Sequence, residues 1–471
     1  MFVVSLDQLK AFDRLDHQWM LKVLHHYNFG PSFIKWIRIL YTDIKSKGIV
    51  NGFLTKSISI NRGVRQGCPL SPLLYIIAMN PIANDIINDN LIVGINSFPV
   101  PNSIAYFTNR TPNRESIKLS AYADDMTCTL NTAESVENLI QKFNLYEQIS
   151  GSKLNVNKTE ILKIGNPPSN SFVENFTKNK LNILGIPFTH NGVDESKWET
   201  IHQNIKRMLS SWSTRKMTIR GRMTLATSVA LAQLWYIARC IPISQTMCTS
   251  IERDIVYFIW RRQYDPIKRD ILHLPYIKGG LNLPNIKIKC DLLLADRIIH
   301  LCQPNADKQW ANLSLFWLRN TLMKEHPFLK NRAFPISSNI RPLYKKIINI
   351  YSHHQRICPG PWCGKRIKEL YGDRQDRLLC KPTCETRDPS LNWTYIWQYM
   401  KPFTTDQYSW ETAWNLIHRT LPTGEHKEKR NLFVLNNDFK CYFCGENETD
   451  IHLFYECEYT KEIIKKGEDI I

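Results

Sequence analysis

The sequence has few residues that break regular structure, and it lacks a hydrophobic run long enough to cross a membrane. Only 19 of its 471 residues are Gly and 24 are Pro, which excludes collagen-like and low-complexity chains. The longest weakly charged stretch, residues 223–238, contains Thr, Ser and Gln and falls short of the roughly 18 apolar residues that a spanning helix needs. The N-terminal residues MFVVSLDQLK lack the basic and apolar regions of a signal peptide. We therefore expect no membrane association and a location in the cytoplasm and nucleus.

Acidic residues are too few to balance the basic ones. The chain has 61 Lys and Arg residues against 43 Asp and Glu residues, a net charge of +18. Such an excess favours a polyanionic partner, of which nucleic acid is the commonest. A merely basic globular protein is the alternative that charge alone leaves open. A hydrophobic fraction of 43% is ample for packed cores in about two to four domains.

Cysteine is too sparse for a disulfide framework. The 13 Cys residues are an odd number, spread over a large chain without an export signal, which is typical of reduced thiols. Clustered cysteines in such a chain are therefore first considered as metal ligands.

Strand and helix patterns follow one another irregularly over the first 165 residues, which predicts an α+β domain. A strand over residues 2–6 ends at Asp7, and a helix capped by Asp16 ends at Gly30. The other predicted elements are a helix from Pro31, a hairpin turn at Asn51-Gly52, a helix over 71–88, a long connection over 88–115, a hairpin over 118–130, a helix from Thr132 to Gly151 and a strand over 159–164.

Three carboxylates stand out in this pattern. Asp7 follows the first strand, and Asp124 and Asp125 lie at the turn of the later hairpin. Carboxylates on adjacent strands can hold two hard divalent cations about 3.5–4 Å apart. An isolated Asp-Asp pair in a turn is more often ordinary turn chemistry, so the surrounding residues must decide.

Five segments around these carboxylates occur in a characteristic order. They are SLDQLKAFDRLDH at 5–17, RGVRQGCPLSPLLY at 62–75, AYADD at 121–125, SGSKLNVNKTE at 150–160 and LNILGI at 181–186. Together they resemble motifs A to E of reverse transcriptases, in the style of non-LTR (LINE-type) retrotransposons. WSTRKMTIRGR at 212–222 resembles the segment that follows in the same elements. The resemblance covers most of residues 2–300 and resumes near Trp410.

The resemblance implies an α+β fold and RNA-directed DNA polymerase activity. The expected parts are a palm of antiparallel sheet with packed helices and partial fingers over 1–190, a helical thumb over 191–300, a linker or helical region of unknown role over 301–405, and a small C-terminal zinc-binding module over 406–471. The implied partners are an RNA template, a DNA primer or target DNA, and deoxynucleoside triphosphates.

The family motifs also imply roles for single residues. Asp7 and Asp124 would hold two magnesium ions, with Asp125 beside them. Phe12 would lie under the incoming sugar and exclude a 2′-hydroxyl, so that deoxynucleotides are chosen. Outside the family context, Phe12 is an ordinary core aromatic.

Three further residues are expected to contact the nucleotide. Gln66 and Gly67 would pack against the nucleotide and template, where a larger side chain than that of Gly would intrude. Lys158 matches the motif D lysine, which would protonate or neutralise the leaving pyrophosphate; its alternative is an exposed, solvated lysine. Leu184-Gly185 would lie in the primer grip.

Basic residues are concentrated between residues 203 and 222, with Trp212 among them. Cations with an interleaved aromatic ring suit a groove that follows a nucleic-acid backbone, and a solvated helix face is the alternative. The residues expected to bind nucleic acid are Lys206, Arg207, Arg215, Lys216, Arg220 and Arg222.

The segment KCYFCGENETDIHLFYEC at 440–457 has the spacing of a zinc site. Cys441 and Cys444 form a two-thiolate knuckle, and His452 and Cys457 complete four ligands. We expect a structural zinc ion there. A weaker pattern of Cys358, Cys363, Cys380 and Cys384 is more simply a set of free thiols.

Some family features are missing from the sequence. No finger motifs precede motif A and no endonuclease region is seen, which suggests a truncated copy of a retrotransposon reading frame. A catalytically dead nucleic-acid-binding remnant, acting through the thumb and zinc knuckle, is the alternative function. A group II intron maturase is a weaker enzyme alternative.

Overall fold

The structure is a computed structural model that describes most of the chain. The described ranges are 1–96, 116–261, 265–301, 342–360, 365–377, 380–400, 406–421 and 440–468, with 314, 317–318, 362 and 423–425. The chain divides into two compact units. Unit 1 comprises Met1–Lys197 and His300–Ile340, and unit 2 comprises Trp198–Ile299 and Arg341–Ile471.

A five-stranded sheet forms the centre of unit 1. Its strand order is β11-β10-β1-β9-β8, and only the β10–β11 pair is parallel. The predicted first strand and the predicted hairpin are both confirmed. The sheet strands are β1 (Phe2–Leu6), β8 (Leu119–Tyr122), β9 (Asp125–Leu130), β10 (Glu160–Lys163) and β11 (Thr177–Lys178).

Two helices of unit 1 begin at the capping residues that the sequence predicts. The Asp16 side chain accepts a hydrogen bond from the Trp19 amide, and Thr132 accepts one from the Ser135 amide, which satisfies an amide of the first turn that has no partner within the helix. The helices are α1 (Ala11–Arg14), α2 (His17–His26), α3 (Pro31–Tyr41), α4 (Ser71–Asn88), α5 (Ala133–Ser150) and α6 (Ser171–Glu174).

Alternating side chains of β1 give the sheet two covered faces. Phe2, Val4 and Leu6 are buried in a large core with residues of α2, α4 and α5, whereas Val3 packs with Leu162 in a smaller cluster on the opposite face. Because both faces are apolar near β1, this strand is held at the centre of the sheet, and Asp7 leaves it at a fixed position.

Short hairpins complete unit 1. Asn51 and Gly52 both have positive φ, as do Leu184 and Gly185, which is the backbone of a two-residue type I′ turn. The Asn51-Gly52 hairpin is thereby confirmed. The short strands are β2 (Lys45–Ser46), β3 (Ile49–Val50), β4 (Phe53–Leu54), β5 (Ile58–Ser59), β6 (Ile95–Asn96), β7 (Ser116–Ile117), β12 (Lys180–Ile183), β13 (Ile186–Thr189) and β14 (Gly192–Val193).

The described residues of unit 2 form helices joined by turns and loops. None of the helices described in either unit is long and apolar enough to cross a membrane. The helices are α7 (Lys197–Ser213), α8 (Ile219–Leu225), α9 (Ala232–Ala238), α10 (Gln245–Trp260), α11 (Arg269–Leu272), α12 (Ile286–Leu301), α13 (Pro342–Ile357), α14 (Ile367–Asp376), α15 (Thr383–Arg387), α16 (Trp393–Tyr399), α17 (Gln407–His418) and α18 (Glu458–Glu468).

Two sequence predictions fall wholly or partly outside the described residues. The connection predicted over 88–115 begins at the end of α4, but residues 97–115 are not described. Cys363 of the weak cysteine pattern is also outside the described residues, and Cys358, Cys380 and Cys384 are free thiols.

Candidate active site

The sheet brings Asp7 close to the Asp124-Asp125 turn. Strand β1 pairs with β9 up to the Leu6↔Met126 pair, so continuing the register by one residue sets Asp7 opposite Asp125. Asp124 occupies the two-residue turn between β8 and β9. Carboxylates that lie far apart in the sequence are thus at one end of adjacent strands.

The turn that carries Asp124 has an unusual backbone. Ala123 precedes Asp124 with φ of 53°, a left-handed conformation that a residue with a Cβ adopts at a cost of about 1 kcal/mol. Tyr122 and Asp125 pair across the turn. The hairpin therefore holds Asp124 at its tip, next to the strained residue Ala123.

Electrostatic repulsion links the three carboxylates. Partial burial raises the pKa of Asp125 above its usual value, and the negative charges of Asp124 and Asp7 raise it further. None of the three has a cationic partner within the part of the chain that the structure describes. A divalent cation would relieve this repulsion, so the donor set fits magnesium.

Phe12 lies on α1, close behind Asp7 in the sequence. Its ring centroid is 4.9 Å from that of Tyr75 on α4. The Tyr75 hydroxyl donates a 2.8 Å hydrogen bond to Oε1 of Gln8. Burial and the charge of Asp124 both raise the pKa of Tyr75, so its hydroxyl keeps its proton. The sequence identified Phe12 but gave no sign of Tyr75 or Gln8, because a tyrosine in an apolar helix predicts only packing.

Gly63 fixes the motif B loop to the motif A helix. Its amide donates to the Leu15 carbonyl at 2.7 Å, and the next amide, of Val64, donates to the Phe12 carbonyl at 2.7 Å. The Gly63 carbonyl lies 2.8 Å from Nε2 of His17. A Cβ at Gly63 would lie 2.7 Å from the Phe12 carbonyl oxygen, so only glycine fits. Sequence reasoning did not single out this residue.

Gln66 and Gly67 are exposed beside this loop. Nε2 of Gln66 donates to Oδ1 of Asp13 at 3.4 Å. A Cβ at Gly67 would meet no atom within 4 Å, so the space that a nucleotide would need is open.

Basic residues that the sequence analysis did not identify line a depression next to Gln66. The depression has a volume of about 800 Å³, and Lys45, Arg62 and Arg65 are among its lining residues. Arg65 also donates to the Leu40 carbonyl at 2.9 Å. Spacing along the chain hides this grouping, because the loop after α3 brings Lys45 to the motif B residues.

Motif D is tied to the strand end that carries Asp7. The Asn155 amide donates to the Asp7 carbonyl at 2.8 Å, and the Lys158 amide donates to the Asn155 carbonyl at 3.0 Å. Lys158 is exposed at the end of a helical turn over Val156–Lys158. Leu184 and Gly185 form the turn between β12 and β13.

In unit 2, the predicted basic residues differ in exposure. Lys206, Arg207, Arg215 and Lys216 are exposed and Arg220 is half-buried. The Arg215 guanidinium lies 4.3 Å from the Trp212 ring centroid. Arg222 is 7% exposed, and its burial takes it out of the set that could contact a nucleic-acid backbone.

The C-terminal cysteines and histidine converge in unit 2. The ligand atoms of Cys441, Cys444, His452 and Cys457 all lie within 4.8 Å of one another. Sγ of Cys441 lies 3.9 Å from Sγ of Cys457, and Sγ of Cys444 lies 3.1 Å from Nε2 of His452. Two thiolates on a tetrahedral zinc ion are about 3.8 Å apart, so the donor set fits zinc. Gly445 follows the knuckle with φ of 76°.

Sequence comparison finds one matching family model and several similar transposon proteins. Residues 1–188 match the family model described as reverse transcriptase (RNA-dependent DNA polymerase). The chain is 25% identical over 409 residues to the transposon TX1 uncharacterized 149 kDa protein of Xenopus laevis, an alignment that covers 82% of this chain and 29% of that protein. It is 24% identical over 328 residues to the retrovirus-related Pol polyprotein from type-1 retrotransposable element R2 of Popillia japonica, covering 66% of this chain and 51% of that protein.

The matched relatives are longer than the aligned segment. The chain spans 29% of the TX1 relative and 51% of the R2 relative. The chain also resembles a solved structure of apo telomerase from Candida tropicalis, with 12% identity and a TM-score of 0.33. That alignment covers 74% of this chain and 52% of the telomerase chain, and the likeness is too distant to bear on the fold.

Proposed function

We propose that this chain extends a DNA primer on an RNA template, because residues 1–188 match the reverse-transcriptase family model and the chain is similar to the TX1 and R2 transposon proteins. The observation that carries the proposal is the meeting of Asp7 with Asp124 and Asp125 at one end of the paired strands β1 and β9. These carboxylates repel one another and so favour a site for divalent cations.

Different side chains of the chain would take different roles in nucleotidyl transfer. Asp7 and Asp124 would hold two magnesium ions, with Asp125 beside them. When bound, such ions lower the pKa of the attacking primer hydroxyl and neutralise charge on the phosphate. Phe12 would lie under the sugar and exclude a 2′-hydroxyl.

The remaining nucleotide contacts come from the motif B and motif D segments. Gln66 and Gly67 would contact the nucleotide, and Lys158 would neutralise the leaving pyrophosphate. Lys45 and Arg62 are further cations for the triphosphate, because they line the depression next to Gln66.

Unit 2 would supply nucleic-acid binding and a structural metal site. The exposed cations Lys206, Arg207, Arg215 and Lys216, with half-buried Arg220, suit contacts to a template–primer backbone. The convergence of three thiols and one imidazole supports a structural zinc ion in the C-terminal module.

The test is primer extension on an RNA template with magnesium and deoxynucleotides, comparing the wild-type chain with Asp124→Asn. We expect extension by the wild-type chain and background activity in the variant, because removing the carboxylate removes a metal ligand. Lys22→Ala is a control on an exposed position of α2 and should retain activity. Binding of the template–primer without extension by the wild-type chain would instead support the alternative of a nucleic-acid-binding remnant.

A further inference from the structure

A buried polar pair lies directly behind the sugar-selecting ring. Tyr75 is fully buried and Gln8 is 8% exposed, and their side chains are joined by the 2.8 Å hydrogen bond. Among the residues that the structure describes, the acceptors of the Gln8 amide nitrogen are the sulfur atoms of Met79 and Met126, each at 3.8 Å, and thioethers are weak acceptors. The Tyr75 hydroxyl is thus the strong partner of the Gln8 side chain.

The backbone holds Gln8 in place from both sides. Gln8 forms an isolated bridge with Leu154, and the amide of Leu9 donates to the Lys153 carbonyl at 2.8 Å. Asp7, the residue before it, accepts the Asn155 amide. Gln8 is therefore a fixed point next to a metal-binding carboxylate, and its hydrogen bond fixes the tilt of the Tyr75 ring.

Phe12 depends on this ring because its own helix is short. Helix α1 has four residues, no side-chain cap, and a left-handed residue, Lys10, at its start. The Phe12 ring packs on Tyr75 at 4.9 Å between centroids with an interplanar angle of 41°. A phenylalanine at position 75 would fill the same space without needing a buried partner. The Tyr75 hydroxyl therefore fixes the position of the Tyr75 ring and is not needed to fill the space.

We propose that the Tyr75–Gln8 pair positions Phe12 and thereby determines how strongly this polymerase rejects ribonucleotides. The inference rests on the proposed function. Tyr75 and Gln8 are positioning residues, since they act on the nucleotide through the Phe12 ring. Their bond sets the depth of that ring, and a ring that can move by a fraction of an ångström no longer closes the space for a 2′-hydroxyl.

The experiment measures kcat/KM for dCTP and CTP on one RNA template. Tyr75→Phe should lower the dCTP-to-CTP ratio about tenfold, chiefly through a lower KM for CTP, because the Gln8 carbonyl loses its partner. The double variant Tyr75→Phe/Gln8→Met removes the unsatisfied Gln8 carbonyl but does not restore the hydrogen bond, so it should recover stability and keep the lowered ratio. An unchanged ratio in Tyr75→Phe would overturn the proposal.

Tyr146→Phe is the matched control for a structural effect. Tyr146 is also buried, and its hydroxyl donates to the Ala78 carbonyl at 2.9 Å and lies 3.3 Å from Sδ of Met79. Its ring packs on Trp19, whereas the ring of Tyr75 packs on Phe12. If Tyr75→Phe and Tyr146→Phe lower the melting temperature alike and neither changes the ratio, the role of Tyr75 is only structural.

Failure of the proposed function gives a different result. A wild-type chain that binds template–primer but does not extend it rejects the proposed activity. The affinities for dCTP and CTP are then measured with calcium in place of magnesium. A preference for dCTP that Tyr75→Phe abolishes would still support positioning, whereas equal affinities in the wild-type chain would overturn it.

Discussion

Partial burial of Asp125, and then the negative charges of Asp124 and Asp7, oppose ionisation of its carboxyl and hold its pKa above the usual value. A raised carboxyl pKa disfavours the charged form in the folded state, so without metal the folded protein is penalised above that pKa and the penalty disappears as the pH falls through it. Divalent cations would remove the same penalty at neutral pH.

Asp125→Asn should therefore raise the melting temperature at pH 7 in EDTA, and the gain should shrink towards pH 4. Thermal unfolding followed by circular dichroism at both pH values measures this difference. Asp89→Asn is the control, and its effect on the melting temperature should have the opposite sign, because the hydrogen bond from the Lys142 ammonium holds the pKa of Asp89 below its usual value. That variant should lower the melting temperature at pH 7. A lower melting temperature for Asp125→Asn in EDTA would contradict the repulsion.

At the scale of elements, the motif B loop and α1 are joined by backbone contacts that leave no room for a side chain at Gly63. A Cβ there would lie 2.7 Å from the Phe12 carbonyl oxygen and 2.8 Å from Cα of Asp13, with φ of 90°. Both neighbours are backbone atoms, which cannot rotate away.

Gly63→Ala should accordingly lower the free energy of unfolding by about 3 kcal/mol, the combined effect of overpacking and backbone strain. Gly67→Ala is the matched control, because Gly67 also has a positive φ, of 83°, but no atom lies within 4 Å of the added Cβ. It should lower the free energy of unfolding by about 1 kcal/mol. We expect Gly67→Ala to raise the KM for the nucleotide instead. Urea titration gives the stability changes, and equal losses in the two variants would reject the contact with α1.

We propose that a zinc ion at the four-ligand cluster keeps the end of the C-terminal module folded. The last described stretch of this module, residues 440–468, contains the buried cysteines Cys441 and Cys457 and little other apolar core. Binding of a structural zinc ion contributes about 10–16 kcal/mol in small zinc modules at pH 7, more than such a segment gains from packing.

Cys441→Ser, or chelation of zinc, should unfold the last roughly 40 residues while unit 1 stays folded. Limited proteolysis with metal analysis of the intact chain detects both effects. Cys380→Ser removes a half-buried thiol outside the cluster and should change neither the cleavage pattern nor the zinc content. A wild-type chain purified without zinc and resistant to proteolysis would exclude a structural zinc.

On the scale of the whole molecule, the net charge of +18 should make nucleic-acid binding depend steeply on salt. Each phosphate contact adds about −0.9 to the slope of log K against log[salt] on B-DNA and about −0.7 on single strands. Backbone contacts are sequence-independent, as a polymerase requires.

Replacing Lys206 and Arg207 together by Ala should make that slope shallower by about 1 to 2, measured by fluorescence anisotropy on a template–primer duplex. Arg269→Ala is the control and should change the slope little, because Arg269 pairs with Asp265 at 2.6 Å, a closer pair than that of Lys206 with Asp254 at 3.6 Å. A slope that is flat in the wild-type chain would reject the proposed groove.

Local sequence patterns were enough to predict the individual elements and the carboxylate motif. Capping residues such as Asp16 and Thr132 satisfy amides of their own helices, and the Asn51-Gly52 turn needs only its own backbone preference. The spacing of Cys441, Cys444, His452 and Cys457 likewise predicted a convergence that a short segment can achieve alone. Local interactions decide these features, so local sequence reveals them.

Contacts between separate segments of the chain depend instead on how the elements pack. The Tyr75–Gln8 bond, the contact of Gly63 with α1 and the grouping of Lys45 with Arg62 join segments that lie far apart in the sequence. The burial of Arg222 depends on helices that pack over it, so a charge pattern predicted it to be a surface residue. Packing of the sheet and helices fixes these neighbours, and no periodicity within a segment encodes them.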